Sequence, residues 1–387
     1  MQCDDLPADS SPGKKVLFVH NIMAPYRLPI FRRLSQYHDV KLFFLRKTHE
    51  YRKWQVRPDE APPNYRVSRG PVLFGAVICL DLLWELLRTR YEVVIVGESS
   101  LETVPACLMA LFFRILGRGR LVLVTERFQN PGSHVRKRFL NRFARAPLVI
   151  YLRFLYKGCD AFVACSSKAA AHLRRSGVDE KKVFQSAQAV FDTQGPSRDE
   201  TQRKDANLVT ILTVAYLEDR KGIDLLIKAF KAMDDHKTRL IIAGDGEIRA
   251  KLEALASGTK GVTFVGYVEG AKKRDLFLNA DLFVLPSRFE TWGLVVNEAM
   301  HYSLPVIITD VMGSTDIVDG NGIIVPAGNV DLLAGALKKL TGSRDLRASM
   351  ARRARDIIGS IDLDAVTKPL LRAIGRAVEP KQRESLP

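Results

Sequence analysis

Residues 288–300, RFETWGLVVNEAM, place two glutamates, Glu290 and Glu298, around the apolar run Trp292-Gly293-Leu294-Val295-Val296. The apolar run Leu282–Leu285 and a Pro286-Ser287 turn precede them, which predicts strand, turn and then helix. The helical pattern is expected to begin at Thr291 or Trp292 and to run through Met300. Glu290 then sits at the carboxyl end of a strand, and Glu298 two turns into the helix. Backbone N–H groups of Trp292, Gly293 and Leu294 at the helix start would face outward unpaired, and Gly293 would let a ligand approach closely. That is an anion site suited to phosphate. By spacing alone, a capping acid followed by a solvated helix acid is an equally good reading.

The same alternation fills the chain. Strands are predicted at 16–19, 41–45, 93–96, 121–124 and 161–164, and in the second half at 209–214, 239–242, 263–264, 282–285, 306–308 and 322–325. Nearly continuous apolar strands between amphipathic helices indicate parallel sheets covered on both faces. At 387 residues the chain suits two domains. The polar, aperiodic DTQGPSRDETQRKDA marks the linker. The expected organisation is a tail at 1–13, a domain at 14–190, a linker at 191–206, a domain at 207–360, and a helix with a tail at 361–387. Both domains are read as doubly wound α/β, in which ligands bind outside the carboxyl ends of the strands.

Net charge is +16 and unevenly placed. Residues 1–187 hold 31 Lys and Arg against 16 Asp and Glu, whereas residues 188–387 hold 28 against 27. A basic first half suits a phosphate polymer, an anionic membrane or an acidic substrate. The five cysteines show no CxxC pair, which reads as reduced thiols in the cytosol with no zinc site. The polar, acidic N-terminus does not read as a signal peptide, and no apolar run reaches the roughly 20 residues of a spanning helix.

Three further stretches follow predicted strands of the second half. Arg220 and Lys221, with Gly222 opening a helix, would place fixed cations where a diphosphate could lie. Gly244-Asp245-Gly246-Glu247 and Gly313-Ser314-Thr315-Asp316 are tight turns. Each is weak alone, but all converge on one end of one sheet.

Through these residues the second half resembles the donor domain of a glycosyltransferase family 4 enzyme. The resemblance is strong over residues 208–340. It rests on Phe289-Glu290 through Trp292, Gly293 and Asn297 to Glu298, which is the family's E-x7-E motif, and on Ser303-Leu304-Pro305 and the GSTDIV turn. It implies the GT-B fold, two Rossmann-like domains facing a cleft, and a retaining transfer from a UDP- or GDP-sugar. By resemblance Glu290 contacts the donor sugar near its reacting carbon, Glu298 the ribose and Lys221 the diphosphate. Arg220, Gly222, Trp292, Gly293, Leu294 and Gly244 complete the donor site. No cofactor or metal is expected beyond the nucleotide-sugar co-substrate. Where the family usually has a Gly-Arg-Leu turn, this chain reads Ala215-Tyr216-Leu217, so Arg220 is the substitute cation.

Asn21, Pro25, Tyr26 and Arg27 resemble the opening loop of a subgroup, on the acceptor side. Many relatives carry a His after the strand at 121–124, whereas Glu126 stands here. It reads either as a carboxylate at the acceptor hydroxyl or as an ion-pair partner of Arg127 or Arg27. His20 is expected to be packed. Between Arg114 and Lys157 lie eleven Lys and Arg and one acid, Glu126. Arg136, Lys137, Arg138, Arg142 and Arg145, with Phe139 and Phe143 at helical spacing and Pro147 ending the segment, suggest an interfacial helix on an anionic leaflet. The expected setting is the cytosolic membrane face, with a glycan or lipid-linked glycan as acceptor. A soluble transferase acting on a small metabolite is the rival. Nucleic-acid binding would explain the charge but not the donor pattern, so no nucleic acid is expected.

Overall fold

The computed structural model describes residues 13–48, 56, 61–98, 101–128, 141–191 and 208–379, with 141–146 described in backbone alone. They fall into two compact units, one made of residues up to 191 together with 363–379, the other of 208–362.

In the first unit the chain runs β1 (Lys15–Ile22), α1 (Leu28–Leu34), β2 (Asp39–Arg46) and β3 (Tyr65–Val67). A hairpin of β4 (Val72–Leu73) and β5 (Ala76–Val77) leads to α2 (Leu80–Arg88) and β6 (Val93–Glu98). Then come α3 (Val104–Ile115), β7 (Arg120–Thr125), α4 (Asn141–Gly158), β8 (Ala161–Ala164), α5 (Ser167–Arg175) and β9 (Val183–Gln185). The seven-stranded sheet has the order β3-β2-β1-β6-β7-β8-β9, and all its pairs are parallel. β1 and β6 are buried almost throughout because helices cover both faces, which is why their sequences are continuous apolar runs rather than alternating ones. Phe18 meets Phe31 edge-on at 5.1 Å, and Phe31 meets Phe44 at 5.9 Å. Each such burial stabilises by roughly 1.5–3 kcal/mol.

The second unit holds β10 (Val209–Val214), α6 (Ile223–Met233), β11 (Thr238–Ala243), α7 (Arg249–Ala256), β12 (Val262–Gly266) and α8 (Gly270–Leu278). It continues with β13 (Leu282–Leu285), α9 (Leu294–His301), β14 (Val306–Thr309), β15 (Gly322–Val325), α10 (Val330–Gly342) and α11 (Arg344–Gly359). The parallel order β12-β11-β10-β13-β14-β15 is that of a Rossmann-type sheet. α6 packs on it through Ile223, Leu226, Ile227 and Phe230, spaced as one helical face and all buried. Asn329 and Ser343 cap α10 and α11, each side chain accepting from a backbone N–H three residues on. The last helix, α12 (Leu363–Val378), packs on α1, β7, β8 and β9 of the first unit, with Val366, Leu370 and Ile374 buried.

All eleven predicted strands form. β3, β9 and the β4–β5 hairpin were not legible, because strands of two or three residues at an edge carry too little pattern. Two expectations need correction. α9 starts at Leu294 rather than at Thr291 or Trp292, so Glu298 lies about one turn in, not two. Gly293, at φ +90°, turns the chain ahead of the helix, and Trp292 is anchored in the core. Pro147 does not end its segment but lies inside α4. Leu155 and Tyr156, further along α4, join the core shared with α3. That packing outweighs the roughly 3 kcal/mol an interior proline costs. Among the described residues no helix is long and apolar enough to cross a membrane.

Candidate active site

The second sheet changes winding direction between β10 and β13, and the loops after these two strands carry the charged residues. After β10, Gly222 adopts φ +68°, and a Cβ there would stand 2.1 Å from the Pro286 carbonyl oxygen. Glycine thus lets the β10 loop lie directly on the β13 loop. The backbone N–H of Arg288 donates to the Arg220 carbonyl at 2.7 Å, fixing the two loops together. Arg288 also donates both guanidinium nitrogens to Asp224, each at 2.7 Å, and one of them to the Asp219 carbonyl.

These contacts bring Glu290 to Lys221 and Arg220. Lys221 Nζ donates to Glu290 Oε2, and Arg220 Nη1 donates to the same oxygen at 3.1 Å. Glu290 is buried. Burial opposes its ionisation, yet Lys221 and Arg220 together hold its carboxyl below the usual carboxylate range. The group is therefore an anion at neutral pH, clamped by two cations, of which Arg220 is the more exposed and also pairs with Glu218 at 2.7 Å.

The other predicted turns join the same place. Gly244 abuts the β10 loop so closely that a Cβ would lie 1.8 Å from the Ala215 carbonyl oxygen, and Leu217 N donates to Asp245 O at 2.9 Å. Glu290 forms a parallel bridge with Met312, and Gly313 N and Ser314 N donate to the carbonyls of Glu290 and Trp292, both at 3.3 Å. All four loops singled out in the sequence thus meet at one end of the sheet. The Trp292 side chain is buried, and its indole N–H donates to Asn297 Oδ1 at 2.7 Å. At Gly293 the φ of +90° disfavours any side chain, and a Cβ would also have to displace Met312 Cε, 2.8 Å away; Leu294 begins the helix. Glu298, on α9, meets a partner the sequence reading lacked. Lys273 Nζ of α8 lies 2.5 Å from Glu298 Oε2. A lysine in a polar helix has no local signal that would single it out.

In the first unit Arg27 Nη2 donates to Glu126 Oε1 at 2.7 Å, which decides between the two partners considered for Glu126. Arg127 instead donates to Glu98 at 2.5 Å. Glu98 ends β6, is buried, and also accepts from Thr125 Oγ1 at 2.9 Å and Tyr156 OH at 3.4 Å. It was not singled out in the sequence, where it reads as the polar end of an apolar strand. Tyr26 and Arg27 line a pocket walled by Phe18, Phe31, Val124 and Val163. Pro25 opens the short turn that carries them, and Asn21 Oδ1 accepts from the Ile22 N–H at 2.9 Å. His20 is packed, as expected, with Nδ1 donating to the Ile22 carbonyl at 3.2 Å. Arg136, Lys137 and Arg138 lie outside the described residues, as do the side chains of Arg142 and Arg145. Among the described residues no group of three His, Cys, Asp or Glu side chains is placed to hold a metal ion.

Residues 197–357 match the family described as glycosyl transferases group 1. An uncharacterized glycosyltransferase of Methanocaldococcus jannaschii is 33% identical over 44% of this chain and 45% of its own, so the chain spans under half of that relative. A lipopolysaccharide core biosynthesis glycosyltransferase of Rhizobium meliloti is 29% identical over 44% of this chain and 50% of its own. A Bacillus subtilis protein named for teichuronic acid biosynthesis as a glycosyltransferase is 27% identical over 80% of each chain. Among solved structures, Anabaena HepE in complex with UDP and glucose superposes with a TM-score of 0.71 at 17% identity, covering 94% of this chain and 99% of that one. WaaG, a glycosyltransferase involved in lipopolysaccharide biosynthesis, does so with 0.67 at 19%, covering 94% and 100%. The chain therefore has the GT-B fold, built of two Rossmann-like units, and its residues 197–357 are those similar to the glycosyl transferases group 1.

Proposed function

We propose that the protein is a family 4 glycosyltransferase that moves a sugar, with retention, from a UDP- or GDP-sugar to an acceptor hydroxyl. The acceptor is a glycan or lipid-linked glycan of glycolipid, lipopolysaccharide or polysaccharide assembly at the cytosolic membrane face. The observation that carries the reading is the Lys221–Glu290–Arg220 cluster between β10 and β13, where a doubly wound sheet binds its ligand. The names of the relatives and the UDP held by a neighbour of the same fold support it.

In this reading the bond between the anomeric carbon and the diphosphate breaks as the acceptor oxygen bonds the same face, and the acceptor's proton passes to the departing phosphate. Lys221, Arg220 and the backbone N–H groups leading α9 stabilise the charge that builds on the diphosphate, so the reaction needs no metal. Glu290 holds the sugar hydroxyls and Glu298 the ribose. Glu126, oriented by Arg27, meets the acceptor side.

Thermal unfolding of the purified protein with UDP, GDP, ADP and their sugar conjugates tests the reading, because a ligand that binds only the native state raises the melting temperature. One nucleotide should give a clear shift that Glu298→Ala diminishes. No shift with any of them, in a folded sample, would sink it.

A further inference from the structure

The first unit carries an apolar surface that its own core does not use. On α2, Leu80, Trp84 and Leu87 share one helical stripe and are 59%, 57% and 47% exposed. On α3, Leu108, Phe112 and Ile115 repeat that spacing at 44%, 54% and 61%. On α4, Val149, Ile150 and Phe154 are 60%, 67% and 57% exposed. α3 packs against both other helices, so the three stripes adjoin. The inner faces of α2 and α3 hold Leu82, Leu86, Ala106, Ala110 and Phe113 in the core, so the outer stripes are a second apolar face. By contrast, the second unit exposes five large apolar side chains among the described residues, no two of them on the same helix.

The hairpin beside α3 extends the surface. Its tip, Phe74, is fully exposed at φ +50°, a conformation that costs a bulky L-residue about 1–2 kcal/mol. An aromatic ring held in water on a strained turn has no account in the unit's own packing.

Charge decides what covers this face. Among the described residues, every exposed position of α2, α3 and α4 is apolar or cationic, and none is acidic. The acids of α2 are turned elsewhere. Asp81 accepts from Ser68, and Glu85 is buried against Lys41 and Tyr91. Arg88 lies 5.0 Å over the Trp84 ring, while Arg153 and Lys157 stand exposed beside Phe154. Apolar side chains fringed by cations alone match the boundary of an anionic bilayer, where acyl chains take the first and phosphates the second. A second copy of the chain would instead bring like charges together.

We infer that the outer face of α2, α3 and α4, with the β4–β5 tip, seats the protein on an anionic lipid surface. This rests on the membrane-facing part of the function proposed above and names the residues that perform it. Trp84, Phe112, Ile150 and Phe74 enter the headgroup boundary, and Arg88, Arg153 and Lys157 meet lipid phosphates.

Flotation of the full chain with vesicles of equal parts phosphatidylcholine and phosphatidylglycerol, and with phosphatidylcholine alone, tests it. The protein should float with the anionic vesicles and much less with the neutral ones. The triple variant Trp84→Ser, Phe112→Ser, Ile150→Ser should lose at least roughly tenfold in vesicle affinity. Its nucleotide-induced rise in melting temperature should stay as in the parent, which also shows that it is folded. As a second readout, anionic vesicles should shift the tryptophan emission to the blue, and Trp84→Phe should abolish that shift while leaving flotation intact. Unchanged vesicle affinity in the triple variant overturns the inference, as does a parent protein that stays at the bottom of the gradient. Self-association that the same three substitutions abolish, without vesicle binding, assigns the face to a second copy and overturns it equally. A protein that floats yet binds no nucleotide leaves this surface standing and removes the transferase reading instead.

Discussion

Lys221 and Glu290, 69 residues apart in sequence, form an ion pair across the point where the second sheet reverses its winding. Each lies in the loop that follows its own strand, and Gly222 and Pro286 press those loops together. The pair fixes an anion and a cation side by side at the sheet's carboxyl edge.

Glu290→Gln should abolish transfer while the protein remains folded, with a loss of stability of about 1–3 kcal/mol from leaving its cations short of a partner. Its depressed carboxyl pKa gives a sign to the pH dependence. The stability contributed by the ionised group is present above the unfolded carboxylate value of about 4.3 and is lost as pH falls through the lower folded value. Melting temperature should therefore drop more steeply below about pH 4 in the parent than in Glu290→Gln. Equal slopes, or full transfer by the variant, would remove the assignment.

Lys273 sits on the carboxylate proposed to hold the ribose. If Glu298 must leave Lys273 to receive a hydroxyl, Lys273→Ala should tighten nucleotide binding by up to roughly fivefold, as for a surrendered ion pair worth up to about 1 kcal/mol. Titration calorimetry measures this. Weakened binding would make Lys273 part of the site rather than its competitor.

Gly222→Ala should destabilise the protein by about 2 kcal/mol or more, since its left-handed backbone and the nearby Pro286 carbonyl both oppose a Cβ. It should also weaken nucleotide binding by displacing Lys221. Denaturant unfolding gives the first quantity; an unchanged midpoint would mean that the two loops are not held as described.

On the acceptor side, Glu126→Gln keeps a hydrogen-bond acceptor for Arg27 but removes the charge. Transfer should fall by about 10- to 100-fold in kcat with the donor KM unchanged, the pattern of a group that acts on the acceptor hydroxyl. A donor KM that rises while kcat holds would assign the residue to the donor instead.

The sequence by itself determined the alternation of strands and helices, and with it two parallel sheets, because strands covered on both faces must be apolar along their whole length. It also singled out Glu290, Glu298, Arg220 and Lys221, since charges at the ends of apolar runs stand out against their neighbours. What it left open was pairing. Nothing local says that Arg127 meets Glu98 while Arg27 crosses to Glu126, or that Lys273 reaches Glu298. Those partners are set by which strands adjoin and which loops touch. Nor could the sequence sort the apolar residues of α2, α3 and α4 into inner and outer faces. In α3 both faces are apolar, and in α2 the charged side of the pattern includes Glu85, which the structure buries, so periodicity alone does not mark the covered stripe and only packing against the sheet decides which is left for another surface.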